Sequence, residues 1–213
     1  VESAIESGVV SDEASTLIFM QDYLALAVIG YELPVLGLIM CALSQGHEAL
    51  AANLAHDYHA GLESKEFVLE SKQLAQAMVS WLNEVLSLGI PADIPDDGFL
   101  PLFAHIAQHW QLPLAQSMTT YGFAQLENMV LAAVKTVPLG QMAGQRILWQ
   151  LQQAFDALIT SINTMDTLDK SEESDCQQLC QDLYETLNIS NNLPNLAIFS
   201  SMHEEQYSRL FRS

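Results

Sequence analysis

Between Gly98 and Phe155 the chain carries only three charges, Glu127, Lys135 and Arg146. A helix lying on the surface of a soluble protein needs a polar, usually charged face, so a stretch this bare must be largely enclosed. Within it, Pro113 to Val137 reads as one helix with apolar or small residues all round, as in Tyr121-Gly122-Phe123-Ala124 and Met129-Val130-Leu131-Ala132-Ala133-Val134. That pattern belongs to the centre of a helical bundle or to a helix buried between subunits. Glu127 and Lys135 are eight positions apart, about 12 Å along the axis, and cannot pair within the helix. An acid in such surroundings is costly without a counter-charge, so Glu127 is expected to be buried against a cation, with Arg146 the candidate.

The rest of the chain has the same period. Apolar residues recur at helical spacing nearly everywhere, as in Leu74, Met78, Trp81, Leu82 and Val85, and no segment alternates as a strand would. Ser11-Asp12-Glu13 marks a helix start, with Ser11 as cap, running to about Ile29. Further helices are expected from Pro34 to Ser44 with Gly46 as stop, from His47 to Ala60, from a Ser64 cap to Leu88, from Leu100 to Trp110, from Gln141 to Met165, and from Cys176 to Leu187. Pro, Gly and Asp make Leu88 to Gly98 a loop, and the acidic run Asp166 to Asp175 an exposed connector. The expected fold is all-α, one domain over residues 1–213, a bundle of roughly eight to ten helices, with residues 193–213 as a C-terminal tail.

Tyr23 to Leu43 is long enough to cross a bilayer, but Glu32 and Pro34 lie at its middle. An acid there is expensive and proline breaks the hydrogen-bond ladder, which points to two short buried helices meeting at Tyr31-Glu32-Leu33-Pro34 rather than a membrane span.

Charge narrows the function. Seven basic against 26 acidic residues give a net charge of −19, which repels nucleic-acid phosphates and anionic lipid. Cys41, Cys176 and Cys180 form no disulfide framework, which fits a reducing compartment, the cytoplasm. His105 and His109, Cys176 and Cys180, and His56 and His59 have metal-compatible spacings, but none has further ligands at a recognisable distance. No nucleotide loop, dinucleotide fingerprint or nucleophile motif is present; Leu139-Gly140-Gln141-Met142-Ala143-Gly144-Gln145 lacks the lysine and hydroxyl of a phosphate cradle. The C-terminal Tyr207-Ser208-Arg209-Leu210-Phe211-Arg212-Ser213 concentrates the side chains that anchor interfaces.

Two segments carry a resemblance. Leu126 to Gln141, followed by Ala143-Gly144-Gln145-Arg146, and the terminal His203 to Ser213 resemble the signatures of the UreF family of urease accessory proteins. Glu32-Leu33-Pro34, Glu63-Ser64-Lys65-Glu66, Glu70-Ser71-Lys72-Gln73 and His109-Trp110-Gln111-Leu112-Pro113-Leu114 are similar to further family stretches. The family's N-terminal segment is missing except for Glu2, which corresponds to its last glutamate; Leu62 and Ala75 stand where the family often has arginine and glycine. The resemblance implies an all-α homodimer in the cytoplasm that acts as adaptor and chaperone in nickel insertion. It would bridge UreD (also called UreH), the GTPase UreG and the urease apoprotein, and modulate GTP hydrolysis without being an enzyme. It implies contact with UreD by His203, Gln206, Tyr207, Ser208, Arg209, Leu210 and Arg212, and GTPase gating by Lys135 and Glu127. No resident cofactor or metal site is implied; nickel would be handled transiently by the complex. The residues alone leave a different reading open, a ligand-binding or enzymatic bundle with a pocket lined by His105, His109 and Glu127. A stand-alone nickel carrier is a third.

Overall fold

The computed structural model describes residues 2–162 apart from 63, 91–93 and 138. The expected Cys176–Leu187 helix, the 166–175 connector and the tail lie outside the described residues. Those described are all-helical, without a strand. The elements are α1 (Glu2–Glu6), α2 (Glu13–Tyr23), a π-helical segment (Leu24–Glu32), α3 (Leu33–Ser44), α4 (Glu48–Ala60), α5 (Lys65–Leu86), α6 (Phe99–His109), α7 (Leu114–Thr136) and α8 (Gly140–Ile162). A short 3-10 turn, Ile94–Asp97, precedes α6. Because α2, the π segment and α3 form one unbroken helix from Glu13 to Ser44, the described residues hold seven helices rather than eight to ten.

Local chemistry accounts for most boundaries. Asp12, not Ser11, caps α2: its carboxylate accepts from the Ser15 amide at 2.8 Å, and Ser15 Oγ accepts from the Asp12 amide at 3.1 Å. That reciprocal box satisfies two orphan donors, which a lone serine cap would not. Gly46 ends α3 at φ 76°, with its amide on the Leu43 carbonyl and the His47 amide on that of Ala42, a Schellman closure. Ser64 caps α5 through the Phe67 amide. The helix stops at Leu86 rather than Leu88, because Ser87 turns left-handed at φ 55°. The Asn83 amide then holds both backbone groups of Ile90, at 2.7 and 2.9 Å, and folds the loop back along α5.

The helix break expected at Tyr31–Pro34 is absent. The Leu33 amide donates to the Val28 carbonyl, five residues back, and α3 begins at once with Pro34 in its first turn. Proline clashes with the carbonyl four residues before it in an α-helix; the wider π turn just upstream moves that carbonyl aside. The helix therefore continues instead of stopping.

α3 is the centre of the fold. Every residue from Leu33 to Met40 is buried, enclosed by α4, α6 and α7, so this apolar run is occupied by protein packing. α5 and α6 run side by side in the same direction: Ser71 Oγ accepts the Phe99 amide at 2.9 Å, and Ala75 and Val79 pack with Leu102 further along. α7 and α8 are antiparallel, with Gly122 against the Phe155 ring and Gly144 against Val134. At both glycines a side chain would collide with the neighbour.

Candidate functional site

α7 is not enclosed all round. Ser117, Met118, Tyr121, Gly122, Leu126, Val130 and Ala133 form its buried face. Glu127, Leu131 and Lys135, four apart in turn, form an exposed stripe on the other. Leu131 is 50% exposed. The two residues singled out for GTPase gating thus share one solvent-facing line, with a leucine between them. Lys135 sits in the last turn of α7, where the carbonyl end of the helix favours a cation. On α8, Met142 and Trp149 are 70% and 62% exposed.

The expected pairing of Glu127 is overturned. Glu127 is exposed, and Arg146 instead forks onto Glu13 of α2, Nε to Oε1 at 2.8 Å and Nη2 to Oε2 at 2.6 Å. The apolar neighbours of Glu127 in sequence lie on the opposite side of the helix, so the acid never leaves water. The guanidinium holds the Glu13 carboxyl below the usual carboxylate range and is itself raised by that carboxylate. This fork ties α8 to the start of α2.

His105, His109 and Glu127 do not line a closed pocket: all three side chains are exposed. Among the described residues no three His, Cys, Asp or Glu side chains gather in a way that could hold a metal ion. His56 is exposed, while His59 is partly buried with Nδ1 lacking a hydrogen-bond partner. Cys176, Cys180, His203, Gln206, Tyr207, Ser208, Arg209, Leu210 and Arg212 lie outside the described residues.

The strongest electrostatic anomaly is internal. Glu32 closes the π segment with Oε2 buried and unpartnered, although part of the residue is accessible. Burial, reinforced by the charge of Glu70 on α5 and only partly offset by a hydrogen bond from Tyr121 on α7, pushes its carboxyl up to about 8. Phenols surround it. Tyr31 stacks on Tyr58 of α4 with ring centroids 5.7 Å apart, and Tyr121 is wedged against Phe99 and Phe103 of α6 at 5.9 and 5.4 Å. Burial foremost, and the charge of Glu32 next, push Tyr23, Tyr58 and Tyr121 well above the ordinary phenol range. The sequence flags Glu32 as costly but gives no sign that tyrosines from three parts of the chain converge on it. They lie far apart along the chain, and no local period connects them.

Residues 10–152 match the family model described as UreF. The urease accessory protein UreF of Azoarcus sp. (strain BH72) is 33% identical over 226 residues, an alignment spanning 100% of this chain and 86% of that protein. Its counterpart in Bordetella parapertussis is 32% identical over 220 residues, covering 100% of this chain and 92% of that protein. The bifunctional urease accessory protein UreEF of Bordetella bronchiseptica is 32% identical over 220 residues, 100% of this chain and 47% of that protein.

Proposed function

The chain belongs to the UreF family of urease accessory proteins, and on that premise we propose that it is an adaptor that presents surfaces to other maturation proteins. Its role in urease maturation follows from the family; the adaptor mechanism is our reading. In it the chain forms a homodimer in the cytoplasm, binds UreD through the C-terminal residues His203 to Arg212, and offers the outer face of α7 to the GTPase UreG, modulating GTP hydrolysis. The urease apoprotein joins this assembly, nickel is its cargo, and the chain holds no resident cofactor and performs no catalysis.

The observation that carries this reading is the exposed Glu127–Leu131–Lys135 stripe. A half-exposed leucine flanked by opposite charges contributes apolar burial to a complex, while the charges fix register and orientation. Met142 and Trp149 on the adjacent helix are further large side chains left in water, and contact side chains of this kind dominate interfaces. The Bordetella bronchiseptica relative, a bifunctional accessory protein, supports a unit that works alongside other accessory activities.

The test is co-purification of the full chain with UreD and UreG. Arg209→Ala, or removal of the last ten residues, is expected to weaken capture of UreD while the helical content of the chain is unchanged. Undiminished UreD capture by both variants would refute the role given to the tail. Leu131→Asp is expected to weaken capture of UreG and leave UreD bound.

A further inference from the structure

We propose that Glu32 is a proton-operated latch on the π-helical segment: as a neutral acid it keeps Leu24–Glu32 packed against α4 and α7, and loss of its proton loosens that packing. This proposal is independent of the adaptor reading.

The geometry has three parts. First, the π segment is an unusual backbone state. Nine residues, Leu24–Glu32, are π-helical, whereas π segments are mostly single turns, persist only where surroundings support them, and often mark functional positions. Second, Glu32 sits at the junction where the π turn gives way to α3, with Oε2 buried and no hydrogen-bond partner. A neutral carboxyl tolerates such a site far better than a carboxylate, whose desolvation the hydrogen bond from Tyr121 only partly offsets.

Third, among the described residues the charged group that acts on Glu32 is a second acid, Glu70, and not a cation. Among the described residues, the titratable groups that act on Glu32 are Tyr23 on its own helix, Tyr58 on α4, Glu70 on α5 and Tyr121 on α7. α6 contributes the rings of Phe99 and Phe103 through Tyr121. A negative charge formed here meets phenols and a second acid. Its relief is solvent, to which part of the residue is already accessible. Nothing is oxidised or transferred; the proton passes to solvent base.

The phenols cannot supply the same transition. Tyr23, Tyr58 and Tyr121 are held above their ordinary range near 10, so an event near pH 8 that disappears in Glu32→Gln belongs to the carboxyl.

The experiment is backbone hydrogen exchange on the full chain between pH 6 and 9, corrected for the intrinsic base-catalysed rate. Protection of the Val28–Leu33 amides is expected to fall at least tenfold between pH 6 and 8 in the wild type and to level off above that, to stay level in Glu32→Gln, and to be unchanged in α5 of both. Equal pH profiles for wild type and Glu32→Gln would overturn the proposal, as would a loss spread evenly over the helices. Should Glu32→Gln fail to fold, carbon-13 titration of the Glu32 carboxyl in the wild type decides instead. A midpoint near 8 that climbs in Tyr121→Phe, where a hydrogen bond to the carboxylate is lost, supports the latch; a midpoint in the ordinary carboxylate range contradicts it.

Discussion

Glu32 and Glu127 each interrupt a long apolar run, and by local sequence they are near twins. In the fold they are opposites. Glu32 lies at the end of a π turn with an oxygen sealed from water, whereas Glu127 stands on the exposed side of α7, one turn from Leu131 and two from Lys135. The difference shows that apolar neighbours in sequence do not set the environment of an acid; its phase on the helix and the elements across from it do. A functional division accompanies the contrast. In our two proposals the interior acid acts on the protein's own conformation and the surface one on contacts with other polypeptides.

The largest expected effect tests the interior half. An acid whose value in the fold exceeds its unfolded value costs nothing while both states are protonated. As pH rises from about 4.5 toward 8, the unfolded chain releases a proton that the fold retains, so stability falls across that window and levels off above it. The loss is up to about 5 kcal/mol, at about 1.4 kcal/mol per pH unit. Urea denaturation at pH 5, 6.5 and 8 is expected to show this decline in the wild type, to miss most of it in Glu32→Gln, and to retain it in Glu127→Gln. A decline of equal size in both variants would erase the distinction between the two acids.

Next in size are changes on the two faces of α7. Gly122→Ala drives a methyl group into the Phe155 ring and is expected to cost about 1–3 kcal/mol. Glu127→Ala, little more than a turn away on the outer face, is expected to stay within about 0.5 kcal/mol. The same denaturation curves measure both, and similar values would mean that the outer face of α7 is packed rather than free. Asn83→Ala falls between them: losing its paired bonds to Ile90 is expected to cost about 1–2 kcal/mol and to raise protease cleavage in the loop after α5. The smallest effect belongs to the fork between Arg146 and Glu13. Glu13 is shifted down, so its contribution is present above the ordinary carboxylate range and disappears as pH falls through the lowered value. Because both partners are exposed, salt should erase it.

Much of the fold is legible in the chain because helices of this kind are locally encoded. The Ser64 cap, the Gly46 stop and the sweep of α7 and α8 follow from period and punctuation. The errors have physical sources. Pro34 was expected to end a helix, yet an upstream π turn accommodates it, and nothing in residues 24–32 announces that turn. Arg146 was expected to serve Glu127, but its partner is Glu13, far back in the chain; long-range pairing leaves no trace in spacing. The five-residue α1, which seals the end of α7 through Ala4, Val10 and Val137, is too short to show a period. The resemblance points to Lys135 and Glu127, and their common exposed stripe emerges only when α7 has a buried side to contrast with.

The central claim is that this protein acts through its outer surface and not through chemistry of its own. Urease activation in cells lacking the native accessory protein, complemented with wild type or Lys135→Ala at matched soluble levels and matched unfolding midpoints, tests it most directly. Activation is expected to fall at least severalfold with Lys135→Ala while stability stays within about 0.5 kcal/mol. Wild-type activation by a stable Lys135→Ala protein would contradict the account.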